Sequence, residues 1–251
     1  MLDIKLKNSF DSDGFVFCRS FRSLAQIEES LANLERLIRE TVPGLPPELV
    51  YYEDKSNRES LKQIQQLQLH DEYFARLMTE GPFRELAEQL LGSEVVCKNM
   101  QYFNKPPGTG QPTPAHQDGH YFKLDRGEAL TLWLALDPVD EENGCVRYVP
   151  KSHLQGLRPH GSTETLGFSQ GITDFPNESD RAFEIALPAQ PGDLLAHHAY
   201  TIHRAEGNKS RTRSRRALGF IYYSVNAKED LVAWRAYQDE LKNRLAESGK
   251  I

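Results

Sequence analysis

The triplet His116-Gln117-Asp118 follows a proline-rich turn, Pro112-Thr113-Pro114. On an extended segment, residues two apart share a face, so this imidazole and this carboxylate can converge on one ion. The triplet alone fits an ordinary His–Asp hydrogen bond on a loop equally well. A similar run, His70-Asp71-Glu72, lies inside a helical pattern where positions i and i+2 face apart, and it reads as scaffold. A metal needs a third ligand. Downstream, Pro191-Gly192-Asp193 turns into apolar Leu194-Leu195-Ala196, followed by His197, His198 and, after four more residues, His203. Two neutral histidines and one carboxylate on one face of an iron ion leave half of an octahedral site open for substrate and oxygen. By residue type, His197, His198 and His203 all qualify. Adjacent His197 and His198 point to opposite faces of a strand, so at least one of them is filler. The next stretch, Arg204–Arg216, carries six basic residues and one acid. Arg211 and Arg213 read as a solvated loop. Arg215 and Arg216 stand at the mouth of the apolar strand that follows, where a guanidinium can clamp a carboxylate through two parallel hydrogen bonds.

Positioning such groups requires a rigid frame, and the spacing of apolar residues predicts one. Gly14–Phe21 reads as a strand. Ser23 with Gln26 forms a capping box that opens a helix through about Thr41. Further helical patterns run over about Glu59–Leu67, Asp71–Leu91 and, at the end, Lys228–Ala246. Between them lie short β-branched and aromatic runs: Val95–Cys97, Met100–Phe103, Ala129–Leu136, Val146–Val149, Ala182–Leu187, Leu194–Ala196 and Ala217–Ser224. Turn signals such as KPPGTG and PVDEENG separate them. Many short strands with helices at the ends predict a mainly β barrel or jelly roll with flanking α-helices, in one domain spanning residues 1–251.

Composition removes several classes of function. The chain has 251 residues, 39% hydrophobic residues and a net charge of −6, which gives no support for a whole-chain nucleic-acid binder. Its longest apolar run, Ala129–Leu136, is far short of the roughly 20 residues that span a bilayer. The start, MLDIKLKNSF, has no apolar core of a secretory leader, and Cys18, Cys97 and Cys145 lack the spacing of a disulfide framework or zinc cluster. The expectation is a cytoplasmic protein, monomeric or homodimeric, with a small-molecule partner.

The ordered set H-Q-D at 116–118, LTLWLALDPVDEENGCVRYVPKSH at 130–153, PGDLLAHHAYTIHRAEGN at 191–208 and RRAL at 215–218 resembles the phytanoyl-CoA dioxygenase family. Members are non-haem Fe(II)- and 2-oxoglutarate-dependent oxygenases. The resemblance covers about 94–224, with GFVFCRSF matching more loosely. It implies a double-stranded β-helix, a cupin-like jelly roll, in which His116, Asp118 and His203 hold Fe(II). Arg215 matches the arginine that pairs with the distal carboxylate of 2-oxoglutarate. The stretch after Asn208 is one residue longer than usual, which keeps Arg216 as the neighbouring alternative. Trp133, Gln101 and Thr201 match positions near the cosubstrate. The implied reaction consumes O2 and 2-oxoglutarate, oxidises a C–H bond of a substrate and releases succinate and CO2. With Asp118 present, hydroxylation is favoured over halogenation.

His120, Tyr121, Phe122, Lys105, His160, Tyr200 and Arg204 would lie near the mouth, Ser162–Asp180 could close it, and the basic stretch suggests an anionic substrate. Two rival readings are a non-catalytic cupin-like binding protein and a zinc hydrolase.

Overall fold

The computed structural model describes residues 4–163 and 165–247. Met1–Asp3, Glu164 and the last four residues lie outside the described residues, although the expectations for the chain start, the 162–180 insert and a 1–251 domain include them. A seven-stranded antiparallel sheet runs β1 (Phe15–Cys18), β11 (Leu194–His198), β6 (Ala129–Ala135), β13 (Arg215–Ser224), β4 (Val95–Lys105), β3 (Leu61–Ile64), β2 (Val50–Tyr52). A four-stranded sheet runs β10 (Ile185–Leu187), β7 (Val146–Tyr148), β12 (His203–Ala205), β5 (Thr113–His116). The hairpin β8 (His160–Ser162) with β9 (Gln170–Ile172) stands apart. This is the expected jelly roll with flanking helices.

Side-chain parity divides the large sheet. Successive strand residues point to opposite faces. Leu130, Leu132 and Leu134 of β6, with Leu218, Phe220 and Tyr222 of β13 and Met100 and Tyr102 of β4, form one core with residues of the helices Leu24–Glu40, Glu72–Thr79 and Pro82–Leu91. The alternate residues Trp133, Ala135, Leu195 and Ala217 pack instead with Val146 and Tyr148 of the small sheet. Both faces of β6 are therefore covered, which is why all seven of its residues are buried and its sequence reads as one apolar run. The capping box appears as expected: Ser23 Oγ accepts from Gln26 N–H, and Gln26 Oε1 accepts from Ser23 N–H.

Four local expectations are corrected. Glu59–Leu67 is not a helix: a 3-10 turn at Arg58–Ser60 leads into β3, whose four residues are all buried. Pairing with β4 (Gln63 opposite Phe103, Ile64 opposite Tyr102) overrides the local pattern. Asp71–Leu91 is two helices, broken where Gly81 takes φ +71° before Pro82. Ala182 and Phe183 end a short helix begun by an Asn177 capping box, so β10 starts at Ile185. Finally, the turn reading before His116 gives way to β5, an edge strand that tolerates Pro114 because one side of its backbone needs no ladder partner. The helix Ile4–Asp13 has no counterpart in the expectations. No helix among the described residues is long and apolar enough to cross a membrane.

The turn into β11 depends on Gly192, at φ +90°, where a Cβ would come within 2.1 Å of the Arg22 carbonyl oxygen. Its backbone bonds Ala135 and Arg22, and Asp193 beside it accepts from the backbone N–H groups of Ser20 and Gln190. Gly192→Ala is expected to cost about 1–3 kcal/mol of unfolding free energy, read from the urea midpoint. A shift equivalent to under about 0.5 kcal/mol would show that this turn is not a constraint.

Candidate metal centre and its cavity

His116 ends β5 and pairs directly across the small sheet with His203, the first residue of β12. Asp118 has left the strand and adopts helical backbone angles at the start of the turn Gly119–Phe122, so the convergence comes from a strand end plus a turn rather than from an extended segment. Ligand atoms of His116, Asp118 and His203 all lie within 4.8 Å of one another. The tautomers follow from the partners. His116 Nδ1 donates to the Pro114 carbonyl (2.8 Å) and His203 Nδ1 donates to the Thr201 carbonyl (3.0 Å). A carbonyl only accepts, so in each neutral ring Nε2 is left with its lone pair facing the other ligand groups.

Asp118 presents its two oxygens to different neighbours. Oδ1 faces His116 Nε2 at 3.4 Å and His203 Nε2 at 3.7 Å. Oδ2 accepts from Thr131 Oγ1 at 2.6 Å and faces His197 Nε2 at 3.2 Å. His197 Nδ1 in turn meets the Tyr148 hydroxyl at 2.8 Å, and Phe15 stacks on that tyrosine at 4.7 Å. Because a carboxylate accepts, His197 donates from Nε2, and its Nδ1 accepts the Tyr148 hydroxyl proton. Burial opposes charge on Asp118, but the surrounding imidazoles, His203 foremost, together with the hydrogen bond from His197, hold its carboxyl well below the usual carboxylate range. Burial, reinforced by His116 and His197, holds His203 well below the usual imidazole value, hence neutral. One ionised oxygen and two free imidazole nitrogens suit a divalent first-row metal, with coordination positions left over.

These groups lie on the floor of a cavity of about 970 Å³. Arg215 shares that floor. It is buried, its guanidinium carbon sits 5.4 Å over the Trp133 ring, and its Nε donates to the Gly144 carbonyl. Burial pulls its pKa down to about 10, and no carboxylate among the described residues lies within ion-pairing distance of it. A buried cation without an acidic partner fits an anionic ligand group. Arg216 points the other way, into a bidentate pair with Asp137. Gln101 lines the cavity and accepts from Gln63 Nε2 at 3.1 Å. Thr201 does not line it: its hydroxyl donates to the Gly14 carbonyl, and it serves the site through the backbone oxygen that orients His203.

Other expected residues divide. Lys105, Tyr121, Phe122 and Arg204 line the cavity, whereas His120 and His160 stack on each other behind Gln117, and Tyr200 packs against Gly119 and Gly127. His198 faces away, toward Phe10 and His153. Asp71 of the similar upstream run caps a helix and pairs with Arg36. The basic stretch is largely neutralised: Arg204 binds Glu184 and Glu206, Arg213 binds Asp140 and Glu142, and Arg216 binds Asp137. Of the cations in this stretch, Arg215 is the one that brings unmatched charge to the cavity. Three groups escaped sequence reasoning. Gln63 was hidden by the helical pattern around it, Thr131 by an apolar run, and Tyr148 by a strand signal that says nothing about its hydroxyl.

The contacts at Oδ2 generate a test. His197→Leu removes a donor that steadies Asp118 and is expected to weaken Co(II) binding about 10–100-fold. His197→Gln, which retains an N–H donor, is expected to stay closer to the parent. Equal affinity in all three proteins, measured by anaerobic titration, would reduce His197 to packing.

The sequence pattern of the phytanoyl-CoA dioxygenase family matches residues 10–217. The peroxisomal phytanoyl-CoA dioxygenase of Bos taurus is 26% identical over 225 residues, spanning 84% of this chain and 66% of that protein. The chain thus covers about two thirds of the length of such relatives. The 1-deoxypentalenic acid 11-beta-hydroxylase of Streptomyces arenae is 28% identical over 219 residues, 82% of this chain and 75% of the hydroxylase. Among solved structures, the epimerase SnoN in complex with Fe3+, alpha ketoglutarate and nogalamycin RO matches with a TM-score of 0.71 at 25% identity, over 90% of this chain and 85% of that one. EctD from S. alaskensis with bound Fe shares the fold at a TM-score of 0.74 and 19% identity, over 90% of this chain and 78% of its own. With 10–217 matched and the site residues in the expected order, the chain belongs to the phytanoyl-CoA dioxygenase family.

Proposed function

We propose that the protein is an Fe(II)- and 2-oxoglutarate-dependent dioxygenase that hydroxylates, or otherwise oxidises, a C–H bond of a small molecule, with release of succinate and CO2. One observation carries the reading: the Nε2 atoms of two imidazoles and one ionised carboxylate oxygen converge on the same cavity floor as a buried arginine with no acidic partner among the described residues. Iron with bound 2-oxoglutarate supplies the oxygen activation, which no side chain here can provide.

The chain's own residues do the rest. His116 and His203 would offer Nε2 to the metal, with the Pro114 and Thr201 carbonyls fixing the ring orientations. Asp118 would bind through Oδ1, and Thr131 with His197 would keep Oδ2 occupied and away from the metal. Arg215 would take the distal carboxylate of 2-oxoglutarate, backed by Trp133, with the Gln101 amide alongside. Phe168, whose ring lies 5.2 Å from His116, shields the centre from water. The ionised Asp118 occupies the place a halide would need, which supports oxidation over halogenation. A zinc hydrolase would leave Arg215 without a task. Cys18, Cys97 and Cys145 lack the spacing of a disulfide framework, which fits a reducing compartment, and we place the chain in the cytoplasm as one domain.

Anaerobic addition of Fe(II) and 2-oxoglutarate is expected to produce a weak visible charge-transfer band that is lost in the double variant His116→Ala, Asp118→Ala. Tight zinc binding with no such band would overturn the reading. Arg215→Met is expected to raise the 2-oxoglutarate concentration needed for half the band roughly 10–100-fold, the worth of a charge-assisted hydrogen bond. An unchanged requirement would remove Arg215 from the cosubstrate site.

A further inference from the structure

The outer part of the cavity differs in character from its floor. Its wall comes from the loop around Leu166–Ser169 and from the C-terminal helix Leu231–Glu247, whose Leu231, Trp234, Tyr237 and Leu241 line the space. This helix is tied down at several points. Asp230 caps its first turn through the N–H groups of Val232 and Ala233, and its own N–H bonds the Lys123 carbonyl. The Tyr237 hydroxyl meets Ser169 Oγ at 2.6 Å, joining helix to loop, and Tyr121 packs at 6.1 Å from the Tyr237 ring. Trp234 keeps 37% of its surface exposed, a large aromatic face without full cover. A volume of about 970 Å³ lies at the upper end of the roughly 300–1,000 Å³ range of small-molecule sites, so ample room remains beyond a five-carbon keto diacid.

Charge at this end opposes an anion. The lining near the helix holds Glu48, Glu229 and Asp239 against Lys98 and Lys242. Both lysines are matched, Lys98 with Glu229 at 2.5 Å and Lys242 with Glu48 at 3.4 Å. Of the arginines that suggested an anionic substrate, Arg204, Arg213 and Arg216 are held by their own carboxylates, Arg211 is exposed and does not line the cavity, and Arg215 is committed to the floor.

We propose that the substrate is an uncharged, ring-bearing, largely apolar molecule, held between the 166–169 loop and the C-terminal helix with its rings against Trp234 and Tyr237. Among the described residues, the one cation there without a carboxylate, Lys123, already lies over the Tyr237 ring at 5.4 Å and offers a polyanionic thioester or a small carboxylate a single contact, whereas flat apolar rings gain from burial and from stacking on aromatic side chains. The inference rests on the oxygenase reading only for the chemistry performed on the molecule. The iron and 2-oxoglutarate band needs no substrate, so the two readings fail separately.

The test uses two probes with the same ring system and different charge, 9-anthracenemethanol and anthracene-9-carboxylate. Each is titrated at pH 8 into the full chain loaded with Co(II) and saturating 2-oxoglutarate, and tryptophan-sensitised anthracene emission is followed. The neutral probe is expected to bind at least tenfold more tightly than the carboxylate, with an affinity unchanged between 0.05 and 0.5 M NaCl. Trp234→Ala is expected to weaken it at least fivefold while the iron and 2-oxoglutarate band stays in place, which shows the variant is folded. Equal or tighter binding of the carboxylate, a strong salt dependence, no binding of the neutral probe up to its solubility, or indifference to Trp234→Ala would each overturn the proposal.

Discussion

A carboxylate buried among imidazoles is unstable unless both of its oxygens are provided for, and much of this protein is arranged around that requirement. Asp118 keeps only 14% of its side-chain surface exposed. Thr131 and His197 satisfy one oxygen, leaving the other to face His116 and His203. Each supporting group comes from a different strand: Thr131 from β6, His197 from β11, His203 from β12 and His116 from β5. The site therefore exists only when both sheets are closed on each other. Metal binding and folding of the jelly roll are expected to support one another for that reason.

Strand parity converts the sheet into a site. The face of β4, β6, β11 and β13 that carries leucine, phenylalanine and methionine seals against the helices. The opposite face of the same strands carries Gln101, Phe103 and Lys105, Thr131 and Trp133, His197, and Arg215. Polar groups placed there cost little folding free energy because the cavity, or what fills it, takes the place of a packed core. Rigid elements hold them, which suits chemistry that tolerates little misplacement.

Charge shows how sequence proximity misleads. Arg204–Arg216 reads as a cationic patch, yet the carboxylates that match it come from residues 137–142, from Glu184 and from Glu206. Asn208 pins the same segment by donating to the Lys105 and Arg213 carbonyls. The loop is a strut that delivers Arg215 to the cavity floor, and Arg204, Arg213 and Arg216 serve that packing.

The sequence by itself determined the order and type of the chemical groups, the strands β1, β4, β6, β11 and β13 of the large sheet and the capped first long helix, because those depend on local spacing and on residue chemistry. His116, Asp118, His203 and Arg215 were legible as an ordered set. The strand at Leu61–Ile64 was not, since its burial comes from β4, some 40 residues on. Nor was the role of Thr201, whose hydroxyl is claimed by Gly14, nearly 190 residues earlier. Only the tertiary structure decided which histidine of the pair at 197–198 faces Asp118, which arginine turns inward and where the positive charge is spent. Those outcomes depend on partners brought close by sheet closure, and no local pattern carries that information.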